Sequence, residues 1–151
     1  MIKTDLLIRL YVTFFFLGNS PLAPGTAGTL GAILLFFFLT FVSFPIYIVF
    51  LLILTALSIF MASLAVKIYN SKDPGQIVID EVCGYLFTMV LIPFSWGYVI
   101  TGFLLFRILD ILKPYPIRNI EKLRDGYGIV LDDVLAGVYA NILMQIIIRV
   151  Y

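Results

Sequence analysis

The sequence contains no histidine, only one cysteine and few charged residues. Without histidine there is no histidine nucleophile, no histidine general base and no histidine-ligated metal. Cys83 alone cannot form a disulfide framework or a cysteine-cluster zinc site. Charged residues make up 13% of the 151 residues, about half of what a soluble domain carries. The net charge of +1 gives no attraction to polyanions, so we expect no nucleic-acid partner.

Hydrophobic residues account for 62% of the chain, and the charged residues are segregated from them. No charged residue occurs from Leu10 to Val66 or from Val82 to Phe106. A soluble domain of this length could not bury so much apolar surface. The composition therefore predicts an integral membrane protein, and the length fits a single membrane-embedded domain over residues 1–151.

Proline, glycine and charged residues divide the apolar sequence into segments. Five segments predict membrane-spanning helices, at residues 26–43, 46–66, 78–93, 98–112 and 129–148. Two shorter segments, 4–17 and 117–125, predict interfacial helices. The expected fold is all-α: an integral membrane helical bundle with about five spans plus short interfacial helices.

The basic residues predict how the bundle is oriented. Eight of the ten lie in three segments: the N-terminal region, residues 67–76 and residues 113–125. The turns at 43–45 and 94–97 contain none. Because loops rich in Lys and Arg stay in the cytoplasm, we expect these three segments on the cytoplasmic side. Five spans then leave the C-terminus outside.

Several carboxylates lie against or inside the predicted spans: Asp80, Glu81, Asp110, Asp132 and Asp133. Acids at membrane depth are costly, so they mark functional sites by default. The predicted topology places all of them at the cytoplasmic ends of three spans. We therefore expect them to converge at one depth.

An internal repeat relates two of the acid pairs. Residues 73–82 align without a gap with residues 125–134, and each copy contains two adjacent acids before a valine. One acid per helix start is explained by the helix dipole, but two adjacent acids in both copies exceed that requirement. Oxygen ligands without histidine or cysteine favour a hard cation, Mg²⁺ before zinc. We predict that the catalytic and metal-binding residues are Asp80, Glu81, Asp132 and Asp133.

Three charged residues of the fourth predicted span are candidates for phosphate binding. Arg107, Asp110 and Lys113 are spaced three residues apart, close to one helical face. Arg107 and Asp110 could instead form only a buried ion pair, and Lys113 could simply extend to the membrane surface. Together with a cation, the group resembles a phosphate clamp.

The segment 19–29 supplies backbone amides and hydroxyls at a predicted helix N-terminus, where anions bind readily. Its hydroxyl residues Ser20, Thr26 and Thr29 are therefore further candidates for phosphate binding. Alternatively, the glycines of this segment serve close helix packing. The two interpretations are compatible.

Four motifs follow one another along the chain: Ser20-Pro-x-x-Pro-Gly-Thr-x-Gly-Thr29, Asp80-Glu-x-x-Gly84, Phe106-Arg-x-x-Asp-x-x-Lys-Pro-x-Pro-Ile117 and Gly128-Ile-x-x-Asp-Asp-x-x-Ala-Gly137. Together they resemble the phosphatidylglycerophosphatase A family. The resemblance implies an all-helical, magnesium-dependent phosphatase of the bacterial inner membrane, and the expected topology places its active site on the cytoplasmic side. Such an enzyme hydrolyses phosphatidylglycerophosphate, a phospholipid of the inner leaflet, to phosphatidylglycerol and phosphate.

Other phosphatase chemistries lack their residues here. Phosphatases of the haloacid-dehalogenase type need an Asp-x-Asp pair for their aspartyl nucleophile, and no such pair exists. Cysteine phosphatases need an arginine six residues after the cysteine, but that position after Cys83 is Met89. Metal-assisted attack by water remains. Two other classes stay open: an acid-lined ion or proton transporter, and a CDP-alcohol-type phospholipid phosphotransferase. A transporter would need acids near the membrane midplane, whereas the acids here are expected at one edge. The phosphotransferase signature begins with Asp-Gly-x-x-Ala-Arg, and Asp125-Gly126 lacks the Ala-Arg continuation.

Overall fold

The computed structural model describes residues 2–150. Its described part contains seven α-helices: α1 (Ile2–Val12), α2 (Pro24–Leu39), α3 (Phe44–Tyr69), α4 (Ile79–Thr88), α5 (Trp96–Leu112), α6 (Ile117–Ile120) and α7 (Gly126–Val150). One short 3₁₀ turn, Leu17–Asn19, follows α1. The expected all-α fold is confirmed. The two segments predicted as interfacial helices form α1 and α6, which are shorter than predicted.

Prolines and a serine set several of the helix boundaries. Pro24 and Pro45 lie in the first turns of α2 and α3, where the missing N–H of proline costs nothing. Ser95 caps α5, because its hydroxyl accepts a hydrogen bond from the Tyr98 N–H. The same helix ends at Leu112, and the next residue, Lys113, has the left-handed conformation directly before Pro114. These boundaries are readable from the sequence.

Membrane-spanning length is reached by two of the described helices, α3 and α7, judged by length and composition. α2 is apolar but shorter, with 16 residues. α4 has 10 residues, so it is about 15 Å long and reaches across half of a hydrocarbon core of about 30 Å. The helix expected over 78–93 therefore ends early, and five spans stay a prediction.

Side chains of α7 hold the end of α4. Asn141 Nδ2 donates hydrogen bonds of 2.8 Å to the carbonyl oxygens of Thr88 and Val90. Gln145 Nε2 donates to the Val90 oxygen at 3.1 Å. The last carbonyls of a helix have no partner within the helix, and in apolar surroundings each needs another donor. Because α7 supplies these donors, the chain can leave the helix at Met89.

Replacing Asn141 with leucine should destabilise the fold, because the carbonyls of Thr88 and Val90 both lose a donor. Such bonds between membrane helices are worth about 0.6 kcal/mol each and at most about 1.7 kcal/mol. We expect a loss of about 1–3 kcal/mol in the unfolding of detergent-solubilised protein. Gln145→Leu is the matched control with the smaller expected effect, since Val90 keeps Asn141 as a donor. Wild-type stability of Asn141→Leu would contradict this account.

α4 packs along α7, and two glycines bring their backbones into contact. A Cβ atom on Gly84 would lie 2.6 Å from the Asp133 carbonyl oxygen, and one on Gly137 would collide with the Gly84 carbonyl. The two helices run parallel, since Asp80 lies near Asp133 at one end and Asn141 bonds to Thr88 at the other. The acid pairs of the two repeat copies are thereby placed side by side.

The two ends of the bundle differ in character. At one end, the α2–α3 connection and Met89–Pro93 line an apolar groove. At the other end, the starts of α2, α4 and α7 meet the end of α5 around a polar cavity. Large apolar side chains such as Phe38, Phe60 and Ile108 are more than half exposed on the helices. This surface and the two long apolar helices indicate membrane association.

Candidate active site

The polar cavity has a volume of about 530 Å³ and contains the charged residues that the sequence singled out. Its charged lining from α4, α5 and α7 consists of Asp80, Glu81, Arg107, Asp110, Lys113, Asp132 and Asp133. These side chains come from three helices that meet at the same end of the bundle. The structure therefore brings all of these predicted residues together at one depth.

Three of the carboxylates form a compact cluster. Asp80, Glu81 and Asp133 each offer an oxygen, and these oxygens lie within 4.8 Å of one another. Each residue also has a buried oxygen without a hydrogen-bond partner among residues 2–150: Asp80 Oδ1, Glu81 Oε2 and Asp133 Oδ2. Buried carboxylates that face one another need a compensating cation or proton. The cluster fits a hard divalent cation, since Mg²⁺ prefers carboxylate oxygens.

Asp132 lies beside this cluster and has different partners. Its Oδ2 accepts a hydrogen bond of 2.6 Å from Lys113 Nζ, and its Oδ1 accepts one of 2.9 Å from the Asp133 N–H. The Asp132 side chain is only 4% exposed, so Lys113 provides its compensating charge. The sequence predicted one metal-binding role for all four acids of the repeat, whereas the structure groups three of them and pairs Asp132 with Lys113.

Lys113 connects α5 to the chain between α6 and α7. Its Nζ lies 2.9 Å from Glu121 Oε1 as well as 2.6 Å from Asp132 Oδ2. Burial by itself would lower the pKa of Lys113, but the hydrogen bonds to these two carboxylates outweigh it and raise the pKa above its ordinary value. Lys113 is therefore protonated throughout the neutral pH range.

Arg107 is positioned between two acids. Its Nη1 lies 2.6 Å from Asp110 Oδ2 and 3.7 Å from Glu81 Oε1. The ion pair that the spacing allowed is present, and Arg107 also borders the carboxylate cluster. Because a guanidinium has five N–H donors, this pairing leaves donors for a phosphate group.

The first turn of α2 borders the same cluster. Gly25 lines the cavity, and a Cβ atom there would collide with the Glu81 carboxylate and lie 3.0 Å from Arg107 Nη1. The N-cap residue, Ala23, offers no side-chain acceptor to the first N–H groups of the helix. Uncapped N–H groups at a helix start carry the positive end of the helix dipole and bind anions.

The hydroxyl residues predicted from the same segment do not line this cavity. Thr29 is buried, and its Oγ1 donates a hydrogen bond of 2.8 Å to the Gly25 carbonyl. Ser20 lines a separate depression next to the cavity. Thr26 is partly buried and is not among the residues that line the cavity. The backbone of α2, rather than these hydroxyls, is what this segment presents to the cavity.

Five further charged residues line the cavity and were not predicted as site residues: Lys72, Asp73, Glu121, Lys122 and Asp125. Asp73 and Asp125 are the equivalent first residues of the two repeat copies, so the repeat itself contained a signal for them. The lysines and Glu121 lie in turns, where no periodicity marks a functional position.

The helical fold and the cavity combine three features of phosphate-ester chemistry at a membrane. A membrane-associated helical bundle holds, at one end, a carboxylate cluster that suits a divalent cation. An arginine and an uncapped helix start adjoin this cluster. Such a combination suits the binding and hydrolysis of a phosphate ester. The class is a membrane-associated phosphohydrolase.

The chain belongs to the phosphatidylglycerophosphatase A family, whose model matches residues 10–148. The Escherichia coli phosphatidylglycerophosphatase A is 35% identical over 126 residues, which are 82% of this chain and 73% of that protein. The Haemophilus influenzae phosphatidylglycerophosphatase A is 50% identical over 74 residues, which are 48% of this chain and 45% of that protein.

A third relative has a different name. A Bacteroides thetaiotaomicron protein, provisionally named a phosphatidylinositol-3-phosphatase, is 37% identical over 141 residues, which are 89% of each protein. No solved structure matches the chain. The family makes the chain a phosphoric monoester hydrolase that acts on lipid, and it decides against the ion transporter and the phosphotransferase.

Proposed function

We propose that the protein is a magnesium-dependent phosphatidylglycerophosphatase, which hydrolyses the terminal phosphomonoester of phosphatidylglycerophosphate to give phosphatidylglycerol and phosphate. The observation that carries the proposal is the cluster of Asp80, Glu81 and Asp133 beside Arg107, whose buried oxygens have no hydrogen-bond partner among residues 2–150. The family and its two relatives named phosphatidylglycerophosphatase A support the substrate.

In this proposal Asp80, Glu81 and Asp133 hold the metal ion, and Asp132 lies next to them in its pair with Lys113. Bound there, Mg²⁺ would polarise the phosphoryl group and lower the pKa of a nearby water. Mg²⁺ would also balance the charge of these three acids, so that an anionic ester could bind beside them.

Arg107 and the first turn of α2 orient the phosphate. A phosphomonoester carries close to two negative charges near neutral pH. Arg107 donates to its oxygens from one side, and the uncapped N–H groups of α2 donate from another. Fixing the phosphoryl group in this way aligns it for in-line attack by water, which is the main contribution of a protein to phosphoryl transfer.

We place the protein in the bacterial inner membrane as a multi-pass protein whose cavity faces the cytoplasm. Lysines of the loops after α3 and α6 lie at the cavity end of the bundle, whereas the turns at the opposite end contain no basic residue. This asymmetry supports the orientation. A phospholipid of the inner leaflet would then present its headgroup at the cavity.

An alternative candidate substrate is phosphatidylinositol 3-phosphate. The match over 89% of both chains to the Bacteroides protein favours it. Both lipids carry a phosphomonoester on a polyol headgroup, so the same cavity chemistry applies to each.

Phosphate release from the two lipids by purified, detergent-solubilised protein tests the proposal. We expect release from phosphatidylglycerophosphate that stops when EDTA removes divalent cations and returns when Mg²⁺ is added in excess. Release from the inositol lipid alone would favour the second substrate. Full activity in EDTA would contradict the metal role.

Arg107→Lys should lower kcat by about tenfold although the charge is kept, because a lysine cannot bind two phosphate oxygens at once. Lys113→Arg should be milder. The pair Arg107→Met with Asp110→Leu separates a phosphate ligand from an ion-pair partner, since it removes both charges of the pair. Phosphate release near the wild-type rate from this double variant would show that Arg107 serves only Asp110.

A further inference from the structure

The cavity contains two kinds of basic residue. Arg107 and Lys113 are engaged by carboxylates at 2.6 Å. Lys72 and Lys122 also line the cavity, but among residues 2–150 neither of them forms an ion pair with a carboxylate. Their charges are therefore available to a ligand.

Lys72 and Lys122 also lie at a different depth from the carboxylate cluster. Lys72 follows α3 and Lys122 follows α6, and both side chains are exposed, as are Asp73 and Asp125 beside them. The carboxylate cluster, in contrast, has buried oxygens. Lys72 and Lys122 thus lie at the rim of the cavity, and the cluster forms its floor.

The cavity is larger than a phosphate group and a cation require. Its volume of about 530 Å³ falls within the range of pockets that enclose whole small molecules, about 300–1,000 Å³. Both lipids considered above contain a second phosphate, the phosphodiester that joins the headgroup to diacylglycerol. When the phosphomonoester reaches the floor, this phosphodiester lies further out along the same headgroup.

We propose that Lys72 and Lys122 bind the phosphodiester of the lipid, while the floor of the cavity binds the phosphomonoester. The inference rests on the proposed function and adds a specificity element to it, because it selects headgroups with two phosphates. Lysine suits this role, since its ammonium is a point charge on a flexible stem that can follow a mobile headgroup.

The test uses two soluble inhibitors of phosphate release from the lipid. Glycerophosphoglycerol contains only the phosphodiester, whereas inorganic phosphate resembles the group bound at the floor. The variants are Lys72→Gln, Lys122→Gln and their combination. Lys67→Gln is the matched control, because Lys67 is an exposed lysine at the end of α3 that does not line the cavity.

Each single variant should raise the Ki of glycerophosphoglycerol and the KM of the lipid about threefold, and the double variant about tenfold, as expected for exposed charge pairs. The Ki of inorganic phosphate should stay at its wild-type value. Equal increases for both inhibitors, no increase for either, or the same increase in Lys67→Gln would each overturn the inference. A wild-type protein that releases phosphate from neither lipid would instead overturn the proposed function, and the inference with it.

Discussion

Asp133→Asn should reduce phosphate release at least about 100-fold while the protein stays folded. Asp133 belongs to the cluster with Asp80 and Glu81, and its Oδ2 has no partner in residues 2–150. Loss of a residue that only supports a metal ligand lowers metal affinity or activity about 10–100-fold. Loss of a ligand itself should lower them at least as much. Removing one of three crowded charges also relieves repulsion, so the melting temperature without metal should not fall.

The control for this variant is Asp5→Asn, which removes a carboxylate of α1 that does not line the cavity. It should keep wild-type turnover. Asp80→Asn should behave like Asp133→Asn, because both residues belong to the same cluster. An unfolded Asp133→Asn protein, or one whose residual activity keeps its magnesium dependence, would count against the metal role.

Gly25→Ala should lower kcat/KM by about 100-fold, which is the cost of displacing reacting groups by about 1 Å. The added Cβ would collide with the Glu81 carboxylate and lie 3.0 Å from Arg107 Nη1. Either α2 or these two side chains must move, and both outcomes disturb the phosphate site.

Gly97→Ala provides the matched control. Gly97 is the second residue of α5, as Gly25 is of α2, and the nearest atom to an added Cβ is Ser95 Oγ at 3.8 Å. Alanine favours a helix over glycine at both positions, so only the steric consequence differs. Equal kcat/KM values for the two alanine variants would show that the close approach of α2 has no role in turnover.

The convergence of the acidic residues could be predicted from the internal repeat. Two copies that begin equivalent helices on the same side of a membrane must place their first turns at one level, whatever the details of packing. The small residues four and five positions later, Gly84 and Gly137, then allow α4 and α7 to approach closely. This much of the site follows from pattern and topology.

The end of α4 could not be predicted. The sequence from Ile79 to Ile92 offers no proline and no charge after Glu81, so local propensity favours a continuous helix. What ends the helix at Thr88 is a pair of hydrogen bonds from Asn141, which is far away in sequence. Such a tertiary contact overrides local preference and leaves no local signal.

The ion-pair partners of the individual charged residues could not be predicted from the sequence either. Asp132 and Asp133 are adjacent and chemically identical, but successive residues of a helix point in different directions. One therefore faces Lys113 and the other faces Asp80 and Glu81. Likewise, the hydroxyl of Thr29 is satisfied within its own helix by the Gly25 carbonyl, which motif spacing cannot reveal.

In the proposed function, acids of α4 and α7 together form a divalent-cation site. Electron paramagnetic resonance of Mn²⁺ titrated into detergent-solubilised protein measures such binding directly, independently of turnover. We expect saturable Mn²⁺ binding that Mg²⁺ competes away, that Asp80→Asn and Asp133→Asn both abolish, and that Asp5→Asn retains. Undiminished Mn²⁺ binding in both cluster variants would show that these acids do not form the cation site.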